Sequence, residues 1–64
     1  MNGIWVIAFD EPGRLLNASG TGVTHLSDEA MRFHRQETAL DYLDTNRSLI
    51  EALGTNPGPT RHPL

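Results

Sequence analysis

The chain contains no cysteine and no lysine, and its five basic residues are all arginine. Without cysteine it can form no disulfide, no thiolate metal site and no cysteine nucleophile. Without lysine it can form neither a Schiff base nor the lysine-containing loop that binds nucleotide phosphates. Its 64 residues also exclude a multi-domain enzyme and a repeat solenoid.

The balance of charge and hydropathy excludes two further classes of protein. The formal net charge is −3 and the sequence pI is about 5.4, whereas nucleic-acid-binding domains normally carry a basic surface. No apolar run approaches the roughly 20 residues that cross a bilayer, and the N-terminus does not resemble a secretory signal. We therefore expect a cytoplasmic protein with no membrane and no direct nucleic-acid partner.

The N-terminal third of the chain predicts an antiparallel β-hairpin. Residues 4–9 are a β-branched and aromatic apolar run, Pro12-Gly13 is a strong turn sequence, and residues 14–19 return as a second strand. Phe9 faces either Arg14 or Leu16, and both registers give the same two faces. One face carries Trp5, Ile7, Phe9, Leu16 and Ala18, and the other carries Ile4, Val6, Ala8, Leu15 and Asn17.

The segment from Gln36 to Leu53 has the periodicity of an amphipathic helix. Its apolar and acidic stripes stay in phase through the polar residues 44–48, which favours one long helix. Asn46 falls on the apolar side, so it is alternatively the N-cap of a second, shorter helix. Between hairpin and helix, we predict a helical turn from Ser27 to Met31 and a short third strand over residues 32–34.

These elements predict an α+β fold in which the long C-terminal helix covers one face of the hairpin. Residues 1–54 form this single domain, with Gly54 as the helix C-cap. Residues 55–64 contain three prolines and little to bury, which predicts a disordered tail. The predicted core consists of Trp5, Ile7, Phe9 and Leu16 on the sheet, Ala39, Leu43, Ile50 and Leu53 on the helix, and Phe33 at one edge.

Candidate catalytic and metal-binding residues are few. His25, His34 and His62 do not have the spacing of a metal-binding motif. The paired carboxylates Asp10-Glu11 and Asp28-Glu29 fit a solvated turn and a helix N-terminus. A catalytic carboxylate needs a desolvated cleft, and one helix on one hairpin has no depth for it. We predict no metal, no cofactor and no enzymatic activity.

The predicted fold leaves two surfaces for a protein partner. The helix carries a stripe of carboxylates, which is typical of a solvated helix face and alternatively docks a basic surface. The outer sheet face has no element left to cover it, and contiguous exposed apolar surface is often an interaction site. The predicted partner-binding residues are Glu37, Asp41, Asp44 and Glu51 on the helix, and Ile4, Val6 and Leu15 on the sheet.

These surfaces predict a non-enzymatic protein-binding module that occludes or bridges a larger partner, with a homodimer as one version. The alternative is a small structural or assembly protein that acts through its own homo-oligomer.

The chain has the order of strand, glycine turn, strand and helix, and the residues that mark it are Trp5-Val6-Ile7, Gly13, Leu15-Leu16, Ala30 to Phe33, and Ala39 with Tyr42-Leu43. This order resembles that of small orphan accessory proteins encoded by phages and prophages of GC-rich bacteria. This resemblance implies a strand-strand-helix fold and, as function, inhibition or modulation of a host protein or defence complex.

Overall fold

The computed structural model describes residues 3–63 and has an α+β architecture, as predicted. Met1 and Asn2 of the predicted domain, and Leu64 of the predicted tail, lie outside the described residues. The elements in chain order are β1 (Gly3–Ala8), β2 (Leu15–Leu16), β3 (Val23–Thr24), a 3-10 turn (Ser27–Glu29), α1 (Gln36–Thr45), α2 (Arg47–Glu51) and β4 (Gly58–Pro63).

The strands form one antiparallel sheet in the order β3-β2-β1-β4. The predicted hairpin is present but short, because β2 has two residues and aligns only Ala8 with Leu15. Phe9 faces Arg14, since its N–H donates to the Arg14 carbonyl over 3.1 Å. Most of the pairing of β1 is with β4, over six residue pairs.

The Pro12-Gly13 turn forms as predicted. The Arg14 N–H donates to the Glu11 carbonyl over 3.1 Å, which closes a four-residue turn. Gly13 has a φ of 73°, and a glycine at the third position after proline at the second is typical of a type II turn.

The segment between β3 and α1 runs between the first half of β1, where it pairs with Trp5, and the end of β2, where it pairs with Asn17. The helical turn there is a 3-10 turn that stops at Glu29, before the predicted end at Met31. The predicted third strand is reduced to one bridge, in which Trp5 and Phe33 exchange two backbone hydrogen bonds of 2.8 and 2.9 Å. Next to it, the Met31 N–H donates to the Leu16 carbonyl.

The predicted core is confirmed. α1 and α2 cover the sheet face that carries Ile7 and Leu16, both fully buried. Alternation along β1 and the helical period of residues 36–53 select these residues, and all nine predicted core residues lie in one apolar cluster. Its members are Trp5, Ile7, Phe9, Leu16, Met31, Phe33, Ala39, Tyr42, Leu43, Ile50 and Leu53.

The prediction of one long C-terminal helix is wrong. The alternative is confirmed, because Asn46 divides the segment into α1 and α2 and is the N-cap of α2. Asn46 has a non-helical ψ of 25°, and its backbone N–H and its Nδ2 both donate to the Tyr42 carbonyl. Its own carbonyl accepts the Ile50 N–H, which starts α2. Asparagine competes for backbone hydrogen bonds in this way, so Asn46 ends one helix and begins the next.

The prediction of a disordered tail is also wrong, because residues 58–63 form β4 on the edge of the sheet. The prediction rested on how little apolar surface these side chains could bury, whereas β4 is held by backbone pairing with β1 and by lying against α1. Gly54 is not the helix C-cap either, since α2 ends at Glu51 with Ala52 as its cap.

The prediction that the outer sheet face is uncovered is wrong for its central residues. Ile4 is 5% exposed and Val6 only 1% exposed. They form a second apolar cluster with Ala30 and the half-buried Leu15. Ala30 reaches this face because the segment after the 3-10 turn runs alongside the end of β2 and forms a bridge with Asn17.

Candidate docking surface

The outer face of α1 combines carboxylates with one exposed leucine. Glu37, Asp41 and Asp44 are exposed, and Glu37 lies in the first helical turn, where a negative charge favours the helix dipole. Leu40 is 40% exposed and lies three residues after Glu37 and four before Asp44, which puts all three on one side of the helix. We call Glu37, Leu40, Asp41 and Asp44 the α1 surface.

Arg47 interrupts the predicted acidic stripe. Its Nη2 donates to Asp44 Oδ1 over 2.8 Å and its Nη1 donates to Glu51 Oε2 over 3.2 Å. These bonds, first to Asp44 and then to Glu51, raise the pKa of Arg47 above its usual value. The structure therefore brings Glu37, Asp41 and Asp44 together on α1. It places Glu51 on α2, where its ion-pair partner Arg47 also binds Asp44 of α1.

The three predicted sheet residues do not offer a comparable surface. Ile4 and Val6 are buried and Leu15 is half-buried, all within the second apolar cluster. A partner could contact Ile4 or Val6 only after the residues packed against them, Ala30 and Leu15, had moved.

A shallow apolar concavity lies between α2 and the turn after β2. Its volume is about 270 Å³, and Leu49 at its rim is 67% exposed. Ala52 and Leu53 follow Leu49 by three and four residues, a spacing that puts side chains on one side of a helix. The concavity is therefore an apolar surface, in contrast to the acidic α1 surface. The lining residues are Gly20, Thr21, Leu49, Ala52 and Leu53.

A set of hydrogen bonds that the sequence did not reveal joins the β1–β2 turn to the segment before β4. The Thr55 N–H donates to Glu11 Oε1 over 3.0 Å, and the Thr55 hydroxyl donates to Glu11 Oε2 over 2.7 Å. These two bonds, helped by Arg14, lower the pKa of Glu11 to about 2. Asn56 Nδ2 donates to Asp10 Oδ2 over 2.8 Å. We call Asp10, Glu11, Thr55 and Asn56 the latch.

The paired carboxylates Asp10-Glu11 were the only sign of the latch in the sequence, because their partners lie 44 and 46 residues away.

The role of Asn17 was also not predicted from the sequence. Its Oδ1 accepts hydrogen bonds from the backbone N–H groups of Thr21 and Gly22 and from the Ser19 hydroxyl. Asparagine commonly organises turns in this way, so Asn17 shapes one wall of the apolar concavity.

Two features relevant to metal ions and membranes can be stated for the described residues. Within residues 3–63, no group of three or more histidine, aspartate or glutamate side chains is placed to hold a metal ion. In the same range no helix has both the length and the apolar character for crossing a bilayer. Of the predicted candidates, His25 binds the Gly13 carbonyl through Nδ1 and His34 is exposed.

No known protein family matches the chain, and no match was found among curated proteins or solved structures. The α1 surface, the apolar concavity and the latch are therefore the features from which the function has to be inferred.

Proposed function

We propose that this protein is a non-enzymatic binding module whose α1 surface docks on a basic, partly apolar surface of a larger protein in the cytoplasm. The observation that carries the proposal is the exposed Leu40 among the carboxylates of Glu37, Asp41 and Asp44.

An exposed apolar residue flanked by charged residues resembles part of a small protein interface. Interfaces bury an apolar centre and keep a polar rim in contact with water. On α1, Leu40 would be the apolar anchor, and the carboxylates along one side of it would form part of the rim. α1 is fixed by the buried Ala39 and Leu43 on its opposite side, so the surface is held rigid before it meets a partner, which reduces the entropy lost on binding.

The charge of this surface defines the chemistry of the partner. Carboxylates at the rim speed the encounter with an arginine- or lysine-rich surface and discriminate against acidic ones. The resemblance to phage-encoded accessory proteins makes a host protein or a defence complex the first partner to seek. Occlusion of such a basic surface would be the mode of action.

Paired double variants test this proposal. In L40A/D41N the docking surface loses its apolar centre and one carboxylate. The matched control is L26A/D28N, since Leu26 is 54% exposed and Asp28 is an exposed carboxylate on the 3-10 turn. Each tagged protein is used to capture proteins from host lysate, and recovered proteins are quantified by mass spectrometry at low and high salt.

We expect a specific protein to be recovered with the wild type and with L26A/D28N, and to be lost at least about tenfold with L40A/D41N. Its recovery should also fall as salt is raised, because rim charges are screened. Equal recovery with both variants would remove the α1 surface from the proposal. Thermal unfolding of all three proteins checks that the variants are folded.

The apolar concavity beside Leu49 favours a second candidate, a structural protein that acts through its own homo-oligomer. Leu49 is 67% exposed beside a concavity of about 270 Å³. In a symmetric dimer, Leu49 of each copy could pack into the concavity of the other copy. Sedimentation velocity from low to high micromolar concentration decides this candidate. It predicts a dimer that Leu49→Asp disperses and Leu26→Asp does not, and a wild type that stays monomeric would reject it.

A further inference from the structure

The edge strand β4 contributes almost nothing to the apolar interior. Among residues 58–62, none belongs to either apolar cluster. Thr60 and Arg61 are exposed, and Gly58, Pro59 and His62 are half-buried. β4 also lies against α1, so it is held by its backbone pairing, by this contact and by whatever fixes its ends. Such segments open at lower free energy than the core.

Alternation along β1 shows which backbone groups hold β4. The N–H and C=O of Trp5 are both used by Phe33, on the side away from β4. In an antiparallel ladder, pairs that exchange hydrogen bonds alternate with pairs that do not. The β1 residues that hydrogen-bond to β4 are therefore Ile4, Val6 and Ala8, opposite His62, Thr60 and Gly58.

The prolines of β4 fit this pattern. Pro59 and Pro63 pair with Ile7 and Gly3, which are positions where the β4 nitrogen points outward. The missing N–H of each proline therefore costs no ladder bond, and it removes a donor from the free edge of the sheet. Among the outward-facing residues 59, 61 and 63, Arg61 is therefore the one that keeps an N–H, so the outer edge of β4 is a poor template for a further strand.

The latch fixes the N-terminal end of β4. Besides the side-chain bonds of Glu11 and Asp10, the Asp10 N–H donates to the Thr55 carbonyl over 2.8 Å. The carboxylate bonds of Glu11 are charge-assisted and therefore stronger than neutral ones. Asn56 has a φ of 48°, a left-handed conformation that non-glycine residues rarely adopt. The latch thus holds a bent segment directly before the strand.

We propose that β4 is a separately releasable strand: it opens from β1 as a unit while the core stays folded, and the latch sets how often it opens. Opening bares the N–H and C=O groups of Ile4, Val6 and Ala8. These are the groups to which an extended chain segment adds when it joins a sheet edge. In the closed state β4 itself occupies this edge of β1, in the place where an added strand would otherwise pair.

Amide hydrogen exchange of the full chain, followed by NMR at increasing urea, tests this proposal. Alternate residues of one strand report the two edges of β1: Ile4, Val6 and Ala8 report β4, and Trp5 and Phe9 report the other side. We expect the first set to exchange at least about tenfold faster than the second and with little dependence on urea, as local opening does.

Two outcomes would overturn the release of β4. Equal exchange rates and equal urea dependence in both sets would show that β4 opens only when the whole protein unfolds. Rates that fall steadily along β1 from residue 4 to residue 9, without alternation, would show fraying of the strand end instead.

A matched pair of variants tests the role of the latch. Thr55→Val removes the hydroxyl that donates to Glu11, and Thr55→Ser retains it. We expect exchange at Val6 and Ala8 to be several-fold faster in T55V and nearly unchanged in T55S. Trp5 should accelerate by a similar factor where it exchanges through global unfolding, because the latch is broken in both open states. Unchanged exchange at Val6 and Ala8 in T55V would show that the latch does not control β4.

Discussion

The core beneath the helices and the edge strand β4 are held by different forces. The core joins β1 to α1 and α2 through buried side chains, among which Ile7 and Ile50 are fully enclosed. β4 joins the same β1 through backbone hydrogen bonds, lies against α1 without adding a side chain to the apolar clusters, and is tied by a latch whose bonds lie at the surface. Water competes for exposed hydrogen bonds and does not compete for a packed interior. The two regions should therefore respond differently to mutation, pH and denaturant.

Leu43→Ala should have the largest effect, because it creates a cavity in the core. The Leu43 side chain is 2% exposed, and truncating a buried leucine costs about 2–5 kcal/mol. Leu40→Ala on the exposed side of the same helix is the control, with an expected loss of less than about 1 kcal/mol. Urea unfolding followed by circular dichroism measures both. Losses of equal size would contradict the assignment of the core.

Gly54→Ala should have the next largest effect, where the core meets the latch. A Cβ at this position would lie 2.5 Å from Phe9 Cδ1 and 3.0 Å from Glu11 Oε1. Overpacking of this kind costs about 1–3 kcal/mol. Gly58→Ala is the control, since nothing lies within 4 Å of its added Cβ. Urea unfolding should show a loss for G54A that is at least twice any change in G58A, and a tolerated G54A would argue against the close approach to Phe9.

Acid should weaken the latch before it affects the core. The folded pKa of Glu11 is about 2 against 4.5 for the free side chain, so the ionised latch stabilises the folded protein above the unfolded pKa. That contribution is lost as the pH falls from about 4.5 towards 2. Thermal unfolding between pH 6 and pH 2 should show a decline in stability that is smaller in Glu11→Gln. Glu37→Gln, which changes an exposed carboxylate outside the latch, is the control and should decline as much as the wild type. If the wild type loses no more stability in acid than E11Q does, Glu11 is not the source of the decline.

Arg47→Gln should have the smallest effect, because its ion pairs with Asp44 and Glu51 are largely exposed. Surface pairs contribute at most about 1 kcal/mol, and salt should reduce the difference from the wild type. A larger loss that persists at high salt would mean that Arg47 fixes the angle between α1 and α2. The variant also leaves the α1 surface more acidic, so capture of a basic partner should be retained or improved.

The predictions from sequence succeeded where a side-chain period met a buried face. Alternation in residues 4–9 gave the two faces of β1, and Pro12-Gly13 gave the turn. They failed where backbone groups decided the outcome. At Asn46, two hydrogen bonds to one carbonyl divide a segment whose apolar stripe is continuous. At β4, pairing with β1 orders a proline-rich segment that has nearly nothing to bury.

The candidate site was predicted in part for the same reason. The carboxylates of α1 follow from the helical period, and they remain the proposed docking residues together with Leu40. Ile4 and Val6 were assigned to an open face because nothing in their neighbourhood in sequence could cover it. Ala30, which packs with them, is brought there by the bridge to Asn17. Glu11 was not predicted as part of a structural contact, because the threonine that donates to its carboxylate lies 44 residues away.

The sequence by itself determined which side chains enter the core, because burial depends on periods of two and 3.6 residues that are written locally. It also determined the acidic character of α1 and the absence of cysteine and lysine chemistry. Only the tertiary structure decided that β1 takes its main partner from the C-terminal end, that Ile4 and Val6 are covered, and that Glu11 meets Thr55. Those contacts join residues far apart in the chain, and backbone hydrogen-bonding groups are the same in nearly every residue, so no local pattern specifies their partners.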